Sequence, residues 1–139
     1  MLALADNGKN LPMQQWTTEA QPERVGELRR AVAAYAAQNG LSTRRVDDVA
    51  IAVSELVSNA VIHAYRDQDD PGAVTVEVAC DRNSLKVRVA DEGLGLVPRD
   101  DSPGAGLGLQ IAGMVADRLE VEDLDPRGTA VNLTFAAAA

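Results

Sequence analysis

Three short segments hold the residues whose types and spacing could do chemistry. Gly104-Ala-Gly106-Leu107-Gly108 leads into an apolar helical pattern beginning near Leu109. A glycine-rich loop feeding a helix N-terminus offers unpaired amides and the positive end of the helix dipole, the backbone solution for binding phosphate. No Gly-Lys-Ser/Thr follows, so it is not a P-loop. Leu109 stands where a dinucleotide fingerprint needs its third glycine. Asp91-Glu-Gly93-Leu-Gly95 follows the alternating Leu85, Val87, Val89 run, at the exit of a strand. An aspartate there can accept a hydrogen bond from an exocyclic amine such as that of adenine, and Gly93 and Gly95 would let backbone approach a flat ligand closely. The same Asp-Gly composition also makes a plain turn. Glu55 and Asn59, four apart, lie within about 40° of one another on a helix, and His63 extends the strip. The stripe borders an apolar face, which is equally the pattern of a solvated helix side.

The elements that must position these groups are readable from periodicity. Residues 1–12 show none and are expected to be loose, ahead of a single domain over 13–136. Met13 to Thr17 reads as an edge strand. Pro22-Glu23 opens a helix with Val25, Leu28, Val32 and Tyr35 on one face, ending near Asn39-Gly40. Ser42 is a good N-cap for a second helix running to about Tyr65, with Val46, Val49, Val53, Leu56, Val57, Ala60, Val61 and Ala64 as its apolar set. Asp67 to Gly72 is a polar breaker. The period then switches to two: Val74, Val76, Val78 and Leu85, Val87, Val89 form a hairpin across Asp81–Ser84. A helix over about 107–116 follows, then a second hairpin from Leu119 and Val121 to Val131, Leu133 and Phe135. The expected fold is α+β, a two-layer sandwich with a mixed, mostly antiparallel sheet covered by helices on one face.

Composition narrows the function classes. The 139 residues suit one domain, and 46% apolar residues with only 3% aromatic leave Ala, Val and Leu to build the core. The net charge is −8, with 17 of the 21 acidic groups in residues 46–139 and no basic run, which argues against a nucleic-acid surface. A polyanion bound in that acidic part must be met by backbone amides or a metal. One cysteine, Cys80, excludes an internal disulfide. With no secretory pattern and no run of about 20 apolar residues, a cytoplasmic protein without membrane contact is expected. His63 reads as a structural hydrogen-bonding residue and Cys80 as a small packed side chain. Arg24, Arg29, Arg30, Arg44 and Arg45 read as solvated.

In order and separation, the three segments resemble the boxes of the GHKL ATPases. Glu55-x-x-x-Asn59 is similar to the N box, Asp91-x-Gly93-x-Gly95 to the first glycine box, and Gly104-x-Gly106-x-Gly108 to the second. Gly128-Thr129 resembles the Gly-Thr that closes the adenine pocket. The resemblance covers about Trp16 to Phe135 and implies the Bergerat-type ATP-binding fold. It implies that Asn59 ligates Mg²⁺, that Asp91 binds the adenine amine with Thr129 assisting, that 104–108 (Gly104, Gly106, Leu107, Gly108) holds phosphates, and that 96–103 forms a lid.

The size leaves no room for the transducer domains of gyrase-like and chaperone members, and His63 lies inside the nucleotide helix, so it is not a phosphoacceptor. The stretch from Ala52 to Tyr65 resembles the anti-sigma-factor serine kinases of the RsbW and SpoIIAB kind. That implies an ATP-bound homodimer that sequesters a sigma factor and phosphorylates a Ser or Thr of a STAS-domain antagonist, with Glu55 as the base. One departure stands against the kinase half. Members often carry an Arg just before the second glycine box, where this chain has Asp100-Asp101-Ser102-Pro103 with Arg99 nearest. An ATP-gated binding module without kinase activity is the alternative, and a detached histidine-kinase catalytic domain a third.

Overall fold

The computed structural model describes residues 12–64, 72–93 and 105–137. Strand β1 (Gln14–Glu19) precedes helices α1 (Pro22–Gln38) and α2 (Thr43–Asn59). Strands β2 (Ala73–Cys80) and β3 (Ser84–Asp91) follow, then α3 (Ala105–Val115), β4 (Arg118–Asp123) and β5 (Thr129–Ala136). The sheet order is β1-β2-β3-β5-β4. All four pairings among the described residues are antiparallel, which corrects the expectation of a mixed sheet. Hairpins joined by short turns give this result locally, and no parallel crossover is needed to bring β3 beside β5.

The alternation read from the sequence becomes continuous rows across the sheet. Trp16, Val76, Val89, Val131 and Val121 are register partners in one row crossing all five strands. Val78, Val87, Leu133 and Leu119 form the next row in one direction. These positions face the helices: Val76, Val78, Val87, Leu133 and Phe135 are buried, and they pack with Val32, Val49, Val53 and Val57 in one core cluster. Each such buried aliphatic side chain contributes about 1.5–3 kcal/mol relative to exposure.

The edge strand is Gln14–Glu19, displaced from Met13–Thr17 toward the C-terminus, and Met13 is exposed. In α2 the Ser42 hydroxyl accepts the Arg45 amide at 3.2 Å, the expected cap. The α-helix stops at Asn59 rather than near Tyr65, and residues Ala60–Ala64 continue it as a wider π turn. Such turns recur at functional sites. The third helix starts at Ala105, so Gly106 and Gly108 belong to its first turn rather than to a loop preceding it. No described helix is long and apolar enough to cross a membrane. Residues 1–11 and the breaker at 67–71 lie outside the described residues.

Arg45 corrects the solvated reading of the arginines. It is 7% exposed, its guanidinium 5.5 Å above the Phe135 ring. Nε donates to the Ala136 carbonyl at 3.1 Å, and Nη1 to Asp48 Oδ2 at 2.9 Å and the Val115 carbonyl at 3.5 Å. Nη2 pairs with Asp117, whose Oδ2 also accepts the Ala136 amide at 2.6 Å. One side chain thus ties the start of α2 to the end of α3 and the end of β5. Cys80 is a free, half-buried thiol against the core, pushed up in pKa first by that burial and then by Asp81.

Candidate functional site

The site is built where the apolar rows of the sheet stop. One step beyond the row of Val76, Val89 and Val131 lies Thr18, Val74, Asp91, Thr129 and Asp123. Strand alternation turns Asp91 and Thr129 toward the helices, as it does Val89 and Val131. The two therefore replace valines in an inward row. They line a cavity with Val89 and Val131 from the sheet, and Leu56, Asn59, Ala60 and Ala64 from α2 and its π turn.

Asp91 is half-buried and its Oδ1 accepts the Gly93 amide at 2.9 Å. Burial holds its carboxyl above the usual 3.8, opposed by hydrogen bonds from the backbone of Gly93 and Thr129. Thr129 is 2% exposed. A carboxyl acceptor set among aliphatic side chains suits a flat ring carrying an amine.

The backbone around Asp91 is held by two close approaches. A Cβ on Gly93 would stand 2.0 Å from the Ala64 carbonyl oxygen. The end of the π turn thus requires a glycine at this position. Gly128 has φ +116°, and a Cβ there would stand 2.2 Å from the Asp91 carbonyl oxygen. Arg127 Nε donates to the Gly93 carbonyl at 3.1 Å, clamping the loop from the other side. Ala64 and Arg127 are parts of the frame that sequence reasoning missed. An alanine in a helical run and an arginine in a turn carry no local signal of it.

Glu55 and Asn59 are both half-buried on α2, and both meet the first turn of α3. A Cβ on Gly108 would stand 3.1 Å from Glu55 Oε1 and 3.1 Å from each end of the Asn59 amide. Asn59 Nδ2 is buried with no hydrogen-bond partner. A buried amide left unmatched costs about 1–3 kcal/mol, which a ligand completing it would recover. Among the described residues no three His, Cys, Asp or Glu side chains converge on a point. The partnerless Nδ2 can donate to an oxygen of a bound phosphate, and the amide oxygen at its other end is a hard donor of the kind that suits Mg²⁺. Leu107 is exposed and Gly108 buried at the start of α3. The structure thus brings together Glu55, Asn59, Asp91, Gly93, Thr129 and Gly108 along one end of α2. Gly95, Gly104, residues 96–103 with Arg99 and Asp100-Asp101, and the His63 side chain lie outside the described residues.

A carboxyl acceptor among aliphatic side chains, next to the first turn of a helix and an amide–carboxylate pair, resembles the layout of a nucleotide site. Residues 18–135 match the model of the histidine kinase-like ATPase domain. The chain belongs to that family. Curated relatives of this ATPase domain include the anti-sigma F factor of Thermoanaerobacter sp. (strain X514), 32% identical over 117 residues, 76% of this chain and 80% of that one. The anti-sigma F factor of Clostridium acetobutylicum is 30% identical over 123 residues, 81% and 85% of the two chains. The serine-protein kinase RsbW of Listeria monocytogenes is 40% identical over 74 residues, 53% of this chain and 46% of that one. A crystal structure of the RsbU and RsbW domains of a Mycobacterium tuberculosis protein superposes with a TM-score of 0.71 at 23% identity, covering 90% of this chain and 32% of that one. This last likeness supports the fold, α+β with helices against one antiparallel sheet.

Proposed function

We propose that this ATPase-domain chain is an ATP-dependent protein serine/threonine kinase of the partner-switching type. It sequesters a sigma factor and phosphorylates a Ser or Thr of a STAS-domain antagonist. The observation that carries the reading is the convergence of the Asp91–Thr129 pocket and the Glu55–Asn59 pair on one end of α2, beside the first turn of α3. The names of the relatives, anti-sigma F factor and serine-protein kinase RsbW, supply the class of partner.

In this reading Asp91 accepts the adenine amine, with Thr129 beside it, and Leu56, Ala60, Val89 and Val131 cover the ring. The first-turn amides of α3, at Gly106 to Gly108, and the segment Gly104 onward hold phosphate oxygens with the helix dipole behind them. Gly93 and Gly95 belong to the same nucleotide-binding set. Asn59 offers its amide oxygen to Mg²⁺, which when bound neutralises charge on the phosphate oxygens. Glu55 takes the proton of the incoming Ser or Thr hydroxyl as that oxygen bonds to the γ-phosphorus and the bond to ADP breaks. Positioning supplies most of the rate. A homodimer acting in the cytoplasm belongs to the same proposal.

The test is incubation with γ-labelled ATP, Mg²⁺ and a STAS-domain protein bearing the acceptor hydroxyl. Label moving to a Ser or Thr of that protein is the expected result. Calorimetry with no ATP or ADP binding at millimolar concentration would overturn the nucleotide site itself. ATP-dependent capture of a sigma factor without any transfer would leave an ATP-gated binding module instead.

A further inference from the structure

We propose that Gly108 is a positioning residue for the transfer site: its missing side chain lets α3 settle onto Glu55 and Asn59, and that seating sets where their polar ends lie. The inference rests on the reading of those two residues as base and metal ligand. It differs from any role of the Gly108 amide toward phosphate, because the amide is unchanged by substitution.

The geometry is specific to this glycine. The three atoms nearest a Cβ at Gly108 are Asn59 Nδ2, Asn59 Oδ1 and Glu55 Oε1, each at 3.1 Å. All are working ends of side chains, and none is backbone. Gly113, later in the same helix, is the natural control, since a Cβ there would meet only Leu119 Cδ1, at 3.8 Å, an ordinary contact. Alanine is the better helix former at both positions. Glycine at 108 therefore works against helix propensity where a methyl group would press on the two functional groups.

The helix has little freedom to relieve that pressure by recoiling. Arg45 Nη1 donates to the Val115 carbonyl at 3.5 Å, and Arg45 also pairs with Asp117 just beyond the helix. Ala112, one turn past Gly108, is fully buried. With α3 held at its far end, an added methyl displaces side-chain ends rather than the helix. The Glu55 carboxyl can swing aside, whereas Asn59 Nδ2 is buried and already lacks a partner.

The experiment compares Gly108→Ala with Gly113→Ala in the full chain. Without nucleotide, both variants should melt at or above the wild-type temperature. The side-chain amide resonances of Asn59 should shift in Gly108→Ala and not in Gly113→Ala. With ATP, the Mg²⁺ concentration giving half-maximal binding should rise about tenfold or more in Gly108→Ala, as for other groups that orient a metal ligand. It should stay at the wild-type value in Gly113→Ala. In an Asn59→Ala background the Gly108→Ala effect on Mg²⁺ should vanish, because the two act through one contact. A wild-type Mg²⁺ requirement in Gly108→Ala would overturn the inference. So would an undiminished loss in the Asn59→Ala background, which would point to direct phosphate contact. Melting of Gly108→Ala well below Gly113→Ala would do the same by showing that the fold, not the site, absorbs the methyl. If wild type itself binds no ATP, the failure belongs to the proposed function. If wild type binds with Mg²⁺ dependence and Gly108→Ala matches it, only this inference fails.

Discussion

Asp91 and Thr129 are register partners on β3 and β5, side by side in an inward-facing row where the neighbouring row has Val89 and Val131. A polar pair at the end of an apolar sheet face is poor for stability and useful for recognition. The Asp91 carboxyl sits above its ordinary 3.8 because burial disfavours its charged form.

The first prediction uses that conflict. Below the ordinary Asp range the buried group is neutral in both folded and unfolded states and costs nothing. As pH rises through that range the cost appears, and it is complete once pH passes the raised folded value. Asp91→Asn removes the charge while keeping an acceptor for the Gly93 amide. The ligand-free variant should melt with wild type at acid pH and above it at neutral pH. Its affinity for ATP should fall by about 2 kcal/mol, roughly thirtyfold, through loss of a charged hydrogen bond, and its preference for adenine over guanine should relax. Thermal melts across pH with calorimetry check both halves; a variant less stable than wild type at neutral pH would contradict the first.

Gly128→Ala should be among the more damaging single changes outside the core. The position has φ +116° and its Cβ would stand 2.2 Å from the Asp91 carbonyl, so strain and clash act together. A loss of about 3 kcal/mol is expected, read as a fall in the urea midpoint at unchanged slope.

Arg45→Ala should cost about 2 kcal/mol or more. It strands the Ala136 and Val115 carbonyls and leaves Asp48 without its guanidinium. Asp117, largely exposed, adds little. Arg45→Lys should recover only part, since an ammonium cannot span Asp48, Asp117 and two carbonyls from above the Phe135 ring. Denaturant melts of the two variants make the comparison; equal stability of Arg45→Lys and wild type would show that charge alone suffices.

Arg45 also marks where sequence reasoning stops. Periodicities of 3.6 and two locate the three described α-helices and both described hairpins, because side-chain patterning follows which face is buried. Five arginines in the first 45 residues look alike, and what distinguishes Arg45 is the arrival of Asp117 and Ala136 from some 70 and 90 residues away. At Gly93 the sequence carries no sign of the close approach to Ala64, because the two are distant along the chain. The start of α3 was placed two residues late because glycines argue against helix, and Gly106 and Gly108 are in its first turn. The candidates Glu55 and Asn59 are legible because their spacing is local, and Asp91 because it ends an alternating strand. Their convergence follows from the fold.

The last prediction separates kinase from binding module through the two residues on α2. Asn59→Ala removes the buried Nδ2 that has no partner, so the ligand-free protein should keep its stability to within about 1 kcal/mol, the relieved donor offsetting lost packing. Its Mg²⁺-dependent ATP binding should weaken. Glu55→Gln keeps the shape of the side chain beside Gly108 but cannot take a proton from a hydroxyl. It should bind ATP nearly as wild type does and still capture the sigma factor, while transfer to the STAS partner falls at least about a hundredfold, the usual worth of a general base. Such a variant would hold its sigma factor and never be switched off by phosphorylating the antagonist. If wild type transfers no phosphate and Glu55→Gln matches it in every assay, the carboxylate has no proton to take, and the chain works as an ATP-gated clamp whose α2 pair serves only to bind the nucleotide.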